Sequence, residues 1–183
     1  MQGDTIVIEE HHRQAATSIV NKILPIIERS DSRYTISVAG ESGSGKSETA
    51  TAISEELEKS HVHSIILQQD DYFVYPPRSN DKQRRKDIGW VGTQEVKLDL
   101  MDENLKSFLG GEQKIEKPLV IYKDDKIVDE TLATGNAKVG IAEGTYTSLL
   151  NSITTRIFID RNYLDTRRYY ARDARAPRET LPS

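Results

Sequence analysis

The amino-acid sequence predicts an α/β protein with a mostly parallel β-sheet flanked by helices. Short apolar runs that are typical of buried strands alternate with segments in which apolar residues recur at helical spacing. Strands that alternate with helices in this way form parallel sheets covered on both faces. The chain has 183 residues, enough for one domain with a sizeable core, and shows neither an internal repeat nor a linker. We therefore expect residues 1–183 to form a single domain.

Each predicted element rests on a local pattern. In the first helix, Ala16, Val20, Ile23 and Ile27 fall on one face, and Pro25 is expected to kink or loosen the last turn. Further on, "MDENLKSFLGG" indicates a short helix ended by glycines, and "LVIYKDDKIVDETL" indicates a hairpin. In chain order the predicted elements are a helix over Glu9–Glu28, a strand over Tyr34–Ala39, a helix over Lys46–Lys59, a strand over His63–Leu67, an irregular polar insertion over 70–92, a helix over 101–111, a hairpin over 119–132, strands over 138–144 and 155–160, and a helix over Tyr163–Arg175.

Composition excludes several classes of function. The formal net charge is −4, whereas general binders of nucleic acids or membrane surfaces carry an excess of basic residues. No apolar stretch approaches the ~18 residues that a membrane span needs, and the N-terminal "MQGDTIVIEEHHRQ" lacks the pattern of a secretory signal. The absence of cysteine excludes disulfides and thiolate chemistry. We expect a cytoplasmic protein without nucleic-acid or membrane partners, and the sequence leaves homo-oligomerisation open.

The segment "GESGSGKS" matches the pattern G-x-x-x-x-G-K-[ST] between a predicted strand and a predicted helix. Glycines let the backbone approach a ligand closely, and successive N–H groups at the start of the helix cradle phosphate oxygens. Lys46 should reach the outer phosphates, and the Ser47 hydroxyl should bind Mg²⁺. The sequence therefore predicts a P-loop NTPase fold that binds ATP. The predicted ATP-binding residues are Gly40, Glu41, Ser42, Gly43, Ser44, Gly45, Lys46, Ser47 and Glu48.

Further patterns decide among the classes of nucleotide-binding protein. A GTPase needs N-K-x-D after the loop, and the only "NK", Asn21-Lys22, precedes it. An ABC ATPase needs L-S-G-G-Q, and "LGGEQ" at 109–113 lacks the serine, so we interpret it as a glycine-terminated helix. Motor ATPases usually end the metal strand in Asp-Glu, whereas this strand ends in the single carboxylate Glu143. A small-molecule kinase remains, with a non-catalytic ATP-binding switch as the alternative from another class.

Candidate residues for such a kinase follow the predicted strands. Asp70 and Asp71 directly follow the second strand, where one carboxylate could orient and deprotonate an acceptor hydroxyl. Glu143 ends a later strand and is a candidate Mg²⁺ ligand together with Ser47. Because ligands of open α/β sheets bind beyond the carboxyl ends of the strands, we expect these groups and the phosphate loop to share one site.

Arginines are concentrated in the last predicted helix. Arg168, Arg172 and Arg175 fall on one face at i, i+4 and i+7. Such a row can clamp phosphates from a lid, because guanidinium groups form paired hydrogen bonds with phosphate oxygens. We predict that Arg168 and Arg172 stabilise the charge that develops during phosphoryl transfer.

Taken together, these segments resemble the uridine kinase and phosphoribulokinase family of P-loop kinases, which also includes nicotinamide riboside kinases. The resemblance covers about Tyr34–Asp173 and rests on "GESGSGKS", "LQQDDYF", "GIAEGTY" and "RIFIDRNYLDTRRYYARD" in this order. It implies an acceptor-side insertion at 70–132 and an arginine-bearing lid at 163–175. It also implies ATP and Mg²⁺ as cofactors and a small-molecule hydroxyl as the phosphate acceptor.

The resemblance carries over residue by residue. It implies that Asp70 is the base that accepts the hydroxyl proton, that Glu143 lies near the metal, and that Arg168, Arg172 and Asp173 lie in the lid. It further implies acceptor contacts after the second strand and in the hairpin. Trp90 is interpreted either as a ring that stacks on the acceptor or as core packing under the insertion. With Trp90 added, the predicted acceptor-binding residues are Asp71, Tyr72, Phe73, Trp90 and Tyr122.

Two departures leave the identity of the acceptor open. Where uridine kinases have a phenylalanine–aspartate pair that holds the ribose hydroxyls, this chain has Trp90 and Val91. The histidine with which their hairpin helps to read the pyrimidine is absent from "YKDDKIV". A basic run, "KQRRKDIGW", lies nearby and is interpreted either as attraction for an acidic acceptor or as a solvated loop. A nucleoside-like acceptor is therefore expected, with nicotinamide riboside or a sugar phosphate as alternatives.

Overall fold

A sheet of four parallel strands forms the centre of the protein. The computed structural model describes residues 6–161. The helices are α1 (Glu10–Arg29), α2 (Lys46–Lys59), α3 (Pro77–Lys86) and α4 (Leu98–Leu109), and the strands are β1 (Tyr34–Gly40), β2 (Ser64–Gln68), β3 (Lys114–Ile121), β4 (Lys126–Ala133), β5 (Val139–Glu143) and β6 (Thr155–Ile159). The parallel sheet has the order β2-β5-β1-β6, and β3 and β4 form a separate antiparallel hairpin. The predicted α/β fold is confirmed.

Two apolar clusters fill the space above and below the sheet. Successive strand residues point to opposite faces, so Ile141 packs with α1 and α2 in one cluster, whereas its neighbour Ala142 packs with α4 in the other. Helix α1 contributes the face predicted from the sequence, and the helix continues through Pro25 to Arg29. Both faces of the sheet are therefore covered by helices along the described chain.

Three strand ends meet at one edge of the sheet. In the strand register, Glu143 of β5 is paired with Val38 of β1 on one side and with Gln68 of β2 on the other. The phosphate loop follows β1, and a 3₁₀ turn over Gln69–Tyr72 follows β2. The structure thus brings the glycine-rich loop, Glu143 and the carboxylates after β2 to the same edge, as the alternation of strands and helices predicted.

The prediction of an irregular insertion over 70–92 is wrong in part, because α3 occupies Pro77–Lys86. Pro77 lies in the first turn, where its missing N–H removes no helical hydrogen bond. Asn80 is the one buried residue of this helix. A helix that is polar almost all round has no apolar periodicity, and apolar periodicity was the signal used to find helices.

The hairpin of β3 and β4 confirms the predicted strand–turn–strand pattern. Its eight register pairs run from Lys114 with Ala133 to Ile121 with Lys126. The backbone is left-handed at Asp125 in the turn, where φ is +49°. The Asp125 carboxylate accepts hydrogen bonds from the backbone N–H of Arg78 (2.7 Å) and from the hydroxyl of Ser79 (2.9 Å), both in α3. These contacts fix the hairpin tip to the helix that the sequence did not predict.

The helix predicted over Tyr163–Arg175, with its lid arginines, lies outside the described residues.

Within residues 6–161, no helix has the length and apolar character needed to cross a membrane.

Candidate functional site

The phosphate loop ends where α2 begins. Gly45 is the residue before the helix and has a left-handed backbone with φ of +91°, a conformation that glycine adopts without strain. The 14-residue helix that follows directs its free N–H groups and the positive end of its dipole toward the loop. The geometry expected of a phosphate-binding loop is therefore present at Gly40–Ser47.

Lys46 is hydrogen-bonded to its own loop and lies under the influence of three carboxylates. Its Nζ donates a 2.8 Å hydrogen bond to the backbone carbonyl of Glu41. Burial lowers the pKa of Lys46, and the negative charges of Glu143, Asp70 and Glu48 oppose this effect. Since electrostatic influence of this kind needs proximity, Lys46, Glu143 and Asp70 belong to one charged centre.

Ser47 and Glu143 form the candidate metal site. The Ser47 hydroxyl donates a 3.2 Å hydrogen bond to Oε1 of Glu143, whose side chain is almost fully buried. Burial, followed by the negative charge of Asp70, raises the pKa of Glu143 to about 7. A hydroxyl and a carboxylate are hard oxygen ligands of the kind that Mg²⁺ prefers, and a cation would relieve the cost of the buried carboxylate. These residues fit Mg²⁺.

Asp70 is exposed and lines a cavity of about 480 Å³ beside the phosphate loop. A second cavity of about 130 Å³ also touches Asp70 and extends toward the hairpin. The larger cavity is lined by Ser42, Gln69, Asp70, Phe73, Arg84, Val91, Glu95, Thr145 and Tyr146. The smaller cavity is lined by Asp70, Phe73, Pro77, Asn80, Arg84 and Tyr122. Asp70 is thus positioned between the phosphate loop and the space that an acceptor would fill.

The close approach of two strand ends shapes the floor of this cavity. A Cβ added to Gly144 would lie 2.3 Å from Cβ of Gln69, so only glycine fits there. The Gln69 side-chain oxygen accepts a 2.7 Å hydrogen bond from the backbone N–H of Tyr146. The Glu-Gly pair that ends β5 therefore allows the segment containing Asp70 to pack directly against it.

Asp71 and Tyr72 do not line either of these two cavities, and their contact with the acceptor stays a prediction. The Asp71 carboxylate accepts a 2.9 Å hydrogen bond from Nζ of Lys117 and a 3.0 Å hydrogen bond from the backbone N–H of Val120. Tyr72 is fully buried in the cluster under α4. In the 3₁₀ turn over Gln69–Tyr72, successive side chains point about 120° apart. Asp70 therefore faces the cavity while Asp71 faces the hairpin and anchors β3.

The other three aromatic residues predicted to contact the acceptor lie in different places. Phe73 lines both cavities, and Tyr122 lines the smaller one. Trp90 lines neither cavity: its indole N–H donates a 2.8 Å hydrogen bond to Oδ1 of Asn80, and its ring lies 5.4 Å from that of Tyr75. Trp90 therefore packs the insertion, which is one of the two interpretations of this residue, and its contact with the acceptor stays a prediction.

Sequence reasoning missed an ion pair that faces the cavity. Arg84 donates through Nε and Nη2 to the two carboxylate oxygens of Glu95, at 2.7 and 2.9 Å, and Asn80 donates to Glu95 at 3.1 Å. Burial raises the pKa of Glu95, but the hydrogen bonds from Arg84 and Asn80 outweigh it, so the pKa lies below its usual value. The basic run "KQRRK" was the available signal, but its helical phase was needed to separate inward Arg84 from exposed Arg85.

The fold and the glycine-rich loop define an α/β protein with a P-loop NTPase fold. The sequence model of the phosphoribulokinase / uridine kinase family matches residues 35–167. The chain therefore belongs to the phosphoribulokinase / uridine kinase family, whose members are P-loop nucleotide-binding kinases. The family resemblance stated from the sequence is confirmed.

Individual relatives agree with this assignment. A uridine kinase from Ureaplasma parvum serovar 3 is 32% identical over 129 residues, which cover 68% of this chain and 61% of the relative. A bifunctional alpha-galactosidase/sucrose kinase from Mediterraneibacter gnavus is 27% identical over 149 residues, covering 75% of this chain and 16% of the relative. The chain thus spans about three fifths of the length of the uridine kinase that it matches.

A solved structure shows the same fold. A protein from Bacillus stearothermophilus, described as a possible uridine kinase, superimposes with a TM-score of 0.65 and covers 88% of this chain and 90% of its own. Its sequence identity is 14%, so the comparison supports the fold alone.

Proposed function

We propose that this protein is an ATP-dependent kinase that transfers the γ-phosphoryl group to a hydroxyl of a small, nucleoside-like acceptor. The observation that carries the proposal is the position of Asp70. This carboxylate lines the same cavity as Ser42 of the phosphate loop and shares an electrostatic centre with Lys46 and Glu143. A carboxylate between a phosphate loop and an acceptor-sized cavity is what a hydroxyl-directed kinase needs.

In the proposed reaction, Asp70 accepts the proton of the acceptor hydroxyl as the oxygen attacks the γ-phosphorus. The new bond joins the acceptor oxygen to phosphorus, and the bond to the oxygen that bridges the β- and γ-phosphates breaks, which releases ADP. Lys46 leaves the Glu41 carbonyl and binds phosphate oxygens, while the loop amides hold the chain of phosphates. Mg²⁺ held by Ser47 and Glu143 would supply positive charge to these phosphates. Arg168 and Arg172 are proposed to add charge from the lid.

The cavity suits an acceptor that is both polar and flat. Phe73 and Tyr122 supply aromatic surface, and the partly exposed Arg84 guanidinium supplies donors for hydroxyl groups. A nucleoside combines these properties, and the 32% identical relative is named a uridine kinase. Nicotinamide riboside has the same combination.

A sugar is a second candidate acceptor. The relative from Mediterraneibacter gnavus is named a sucrose kinase as well as an alpha-galactosidase. The Arg84 guanidinium fits sugar hydroxyls as well as ribose hydroxyls, whereas a sugar would leave the aromatic surface of Phe73 and Tyr122 without a ring to stack on. The difference between the two classes therefore depends on the aromatic residues.

An acceptor panel tests the proposal. ADP release is measured with ATP and Mg²⁺ in the presence of uridine, cytidine, nicotinamide riboside, sucrose, fructose or ribulose 5-phosphate, with no acceptor as the blank. We expect stimulation by at least one nucleoside or riboside. Stimulation by sugars alone would favour the second candidate. ATP binding without stimulation by any hydroxyl acceptor would instead support a nucleotide-binding switch and contradict the kinase proposal.

A further inference from the structure

His12 of α1 packs directly against the phosphate loop. Its side chain is 5% exposed, and a Cβ added to Gly45 would lie 2.8 Å from its Nε2. The ring thus fills the space next to the left-handed glycine that precedes α2. The family motif accounts for Gly45 but not for this contact, because His12 lies 33 positions earlier in the chain.

The tautomer of His12 follows from its hydrogen bonding. Nδ1 accepts a 3.1 Å hydrogen bond from the backbone N–H of Glu9, so Nδ1 carries no proton. Burial and the neighbouring His11 lower the pKa of His12 against the opposing charges of Glu48 and Glu9, which favours the neutral ring. A neutral imidazole with an unprotonated Nδ1 carries its proton on Nε2.

This Nε2–H is a buried donor without an acceptor among the described residues. Buried donors are almost always paired in native proteins, and an unpaired one needs an explanation. The donor faces the entrance of α2, where a nucleotide's phosphates bind and where the loop must adjust as Lys46 exchanges the Glu41 carbonyl for phosphate oxygens. Nucleotide binding is therefore the event that can bring an oxygen to Nε2.

We propose that His12 is a positioning residue for the phosphate loop, whose Nε2–H gains an oxygen acceptor when a nucleoside di- or triphosphate occupies the loop. Helix α1 is thereby coupled to nucleotide occupancy. The inference rests on the nucleotide-binding part of the proposed function and is independent of the phosphate acceptor.

Two substitutions of His12 distinguish the roles of its two ring nitrogens. In His12→Asn, the amide can still accept from the Glu9 N–H but does not reach the loop, whereas in His12→Gln the longer amide can place a donor near the position of Nε2. His61→Asn, before β2, is the matched control, because His61 is exposed and its left-handed backbone also suits asparagine. Equilibrium dissociation constants for ADP and for ATP are measured without any phosphate acceptor, and the melting temperature of each variant is recorded.

We expect His12→Asn to weaken nucleotide binding by about tenfold, a typical effect of losing one buried hydrogen bond. His12→Gln should remain within about twofold of the wild type, and His61→Asn should be unchanged. In ¹⁵N-histidine NMR spectra of the wild type, the His12 Nε2–H signal should shift when ADP is added. Unchanged affinity in His12→Asn, equal losses in the Asn and Gln variants, or a proton found on Nδ1 would each overturn the inference.

The binding assay also distinguishes this inference from the proposed function. A protein that binds ADP through His12 but transfers no phosphate would contradict the kinase proposal and support the coupling of α1 to the loop. Phosphoryl transfer with wild-type nucleotide affinity in His12→Asn would support the kinase proposal and contradict the coupling of α1 to the loop.

Discussion

The proposed phosphate-binding half of the site, Gly40–Ser47, is built mainly from backbone, whereas the proposed acceptor half, the insertion and hairpin beside Asp70, depends on charged side chains with buried carboxylates. The loop at Gly40–Ser47 depends on glycine conformation and on the start of α2. The insertion instead depends on two ion pairs, Asp71 with Lys117 and Arg84 with Glu95. Backbone geometry of this kind is specified by neighbouring residues, whereas an ion pair requires partners that are distant in sequence. The phosphate-binding half can therefore be predicted from a short sequence motif, whereas the acceptor half can be described only when the fold is known.

Substitution of Asp70 offers the strongest test of the division between the phosphate-binding half and the acceptor half. Asp70→Asn should lower the turnover number by about 10²- to 10⁴-fold, the usual contribution of a general base, because an amide cannot accept the hydroxyl proton. Nucleotide affinity should stay nearly unchanged, since the loop does not depend on this side chain. Steady-state kinetics and ADP titration measure the two quantities. Wild-type turnover in Asp70→Asn would contradict the assignment of the base.

Lys117→Met tests the acceptor half alone. Lys117 is buried and donates to Asp71 at 2.9 Å while lying 2.8 Å from Glu130. Its loss leaves the buried Asp71 carboxylate with the Val120 N–H, and breaking such a pair typically costs about 3–5 kcal/mol of unfolding free energy. Urea unfolding measures the loss.

The nucleotide serves as the internal control for Lys117→Met. If the halves are separately built, the fraction that stays folded should bind ADP with wild-type affinity while its KM for the acceptor rises. A weaker ADP affinity with an unchanged acceptor KM would mean that the hairpin supports the phosphate loop instead.

The fold and the phosphate half were predictable from the sequence for a physical reason. Alternating strands and helices fix a parallel sheet, and a parallel sheet places its carboxyl-terminal residues at one edge. This reasoning brought Glu143 to Ser47 although 96 positions separate them. Asp70 could be placed by the same argument, and the cavity beside it supports its proposed role.

The acceptor half could not be predicted from the sequence in the same way. Helix α3 lacks apolar periodicity, and only its helical phase shows that Arg84 turns inward and Arg85 outward. The different directions of Asp70 and Asp71 likewise depend on the turn that follows β2. Side chains next to each other in sequence thus acquired different roles, and composition alone cannot separate them.

Glu143→Gln tests whether the phosphate half carries an unfavourable buried charge. The pKa of Glu143 is about 7 in the fold, above its ordinary value of 4.5, so the native state binds more protons than the unfolded state between these values. The contribution of Glu143 to stability is therefore fully present below pH 4.5 and is lost as pH rises through 7. In metal-free buffer, Glu143→Gln should be more stable than the wild type by about 2–3 kcal/mol at pH 8.

The pH dependence provides the control for Glu143→Gln. The difference in unfolding free energy between variant and wild type should shrink toward pH 5, measured by urea unfolding at both pH values. A difference that does not vary with pH would show that the ionisation of Glu143 is not responsible.

The neighbouring arginines of α3 give the smallest predicted effect and the closest internal control. Arg84 forms the two-point pair with Glu95, whose side chain is 2% exposed, whereas the Arg85 side chain is 80% exposed and pairs with Asp81 on the surface. Arg84→Met should destabilise the protein by about 1–2 kcal/mol, because a buried carboxylate loses its main partner. Arg85→Met should change stability by less than about 0.5 kcal/mol, because surface ion pairs usually contribute little.

Urea unfolding compares the stability of the two variants. Arg84→Met should also raise the KM for the phosphate acceptor while ADP affinity stays constant. Equal effects of the two substitutions would mean that the acceptor half does not depend on its buried charge pairs.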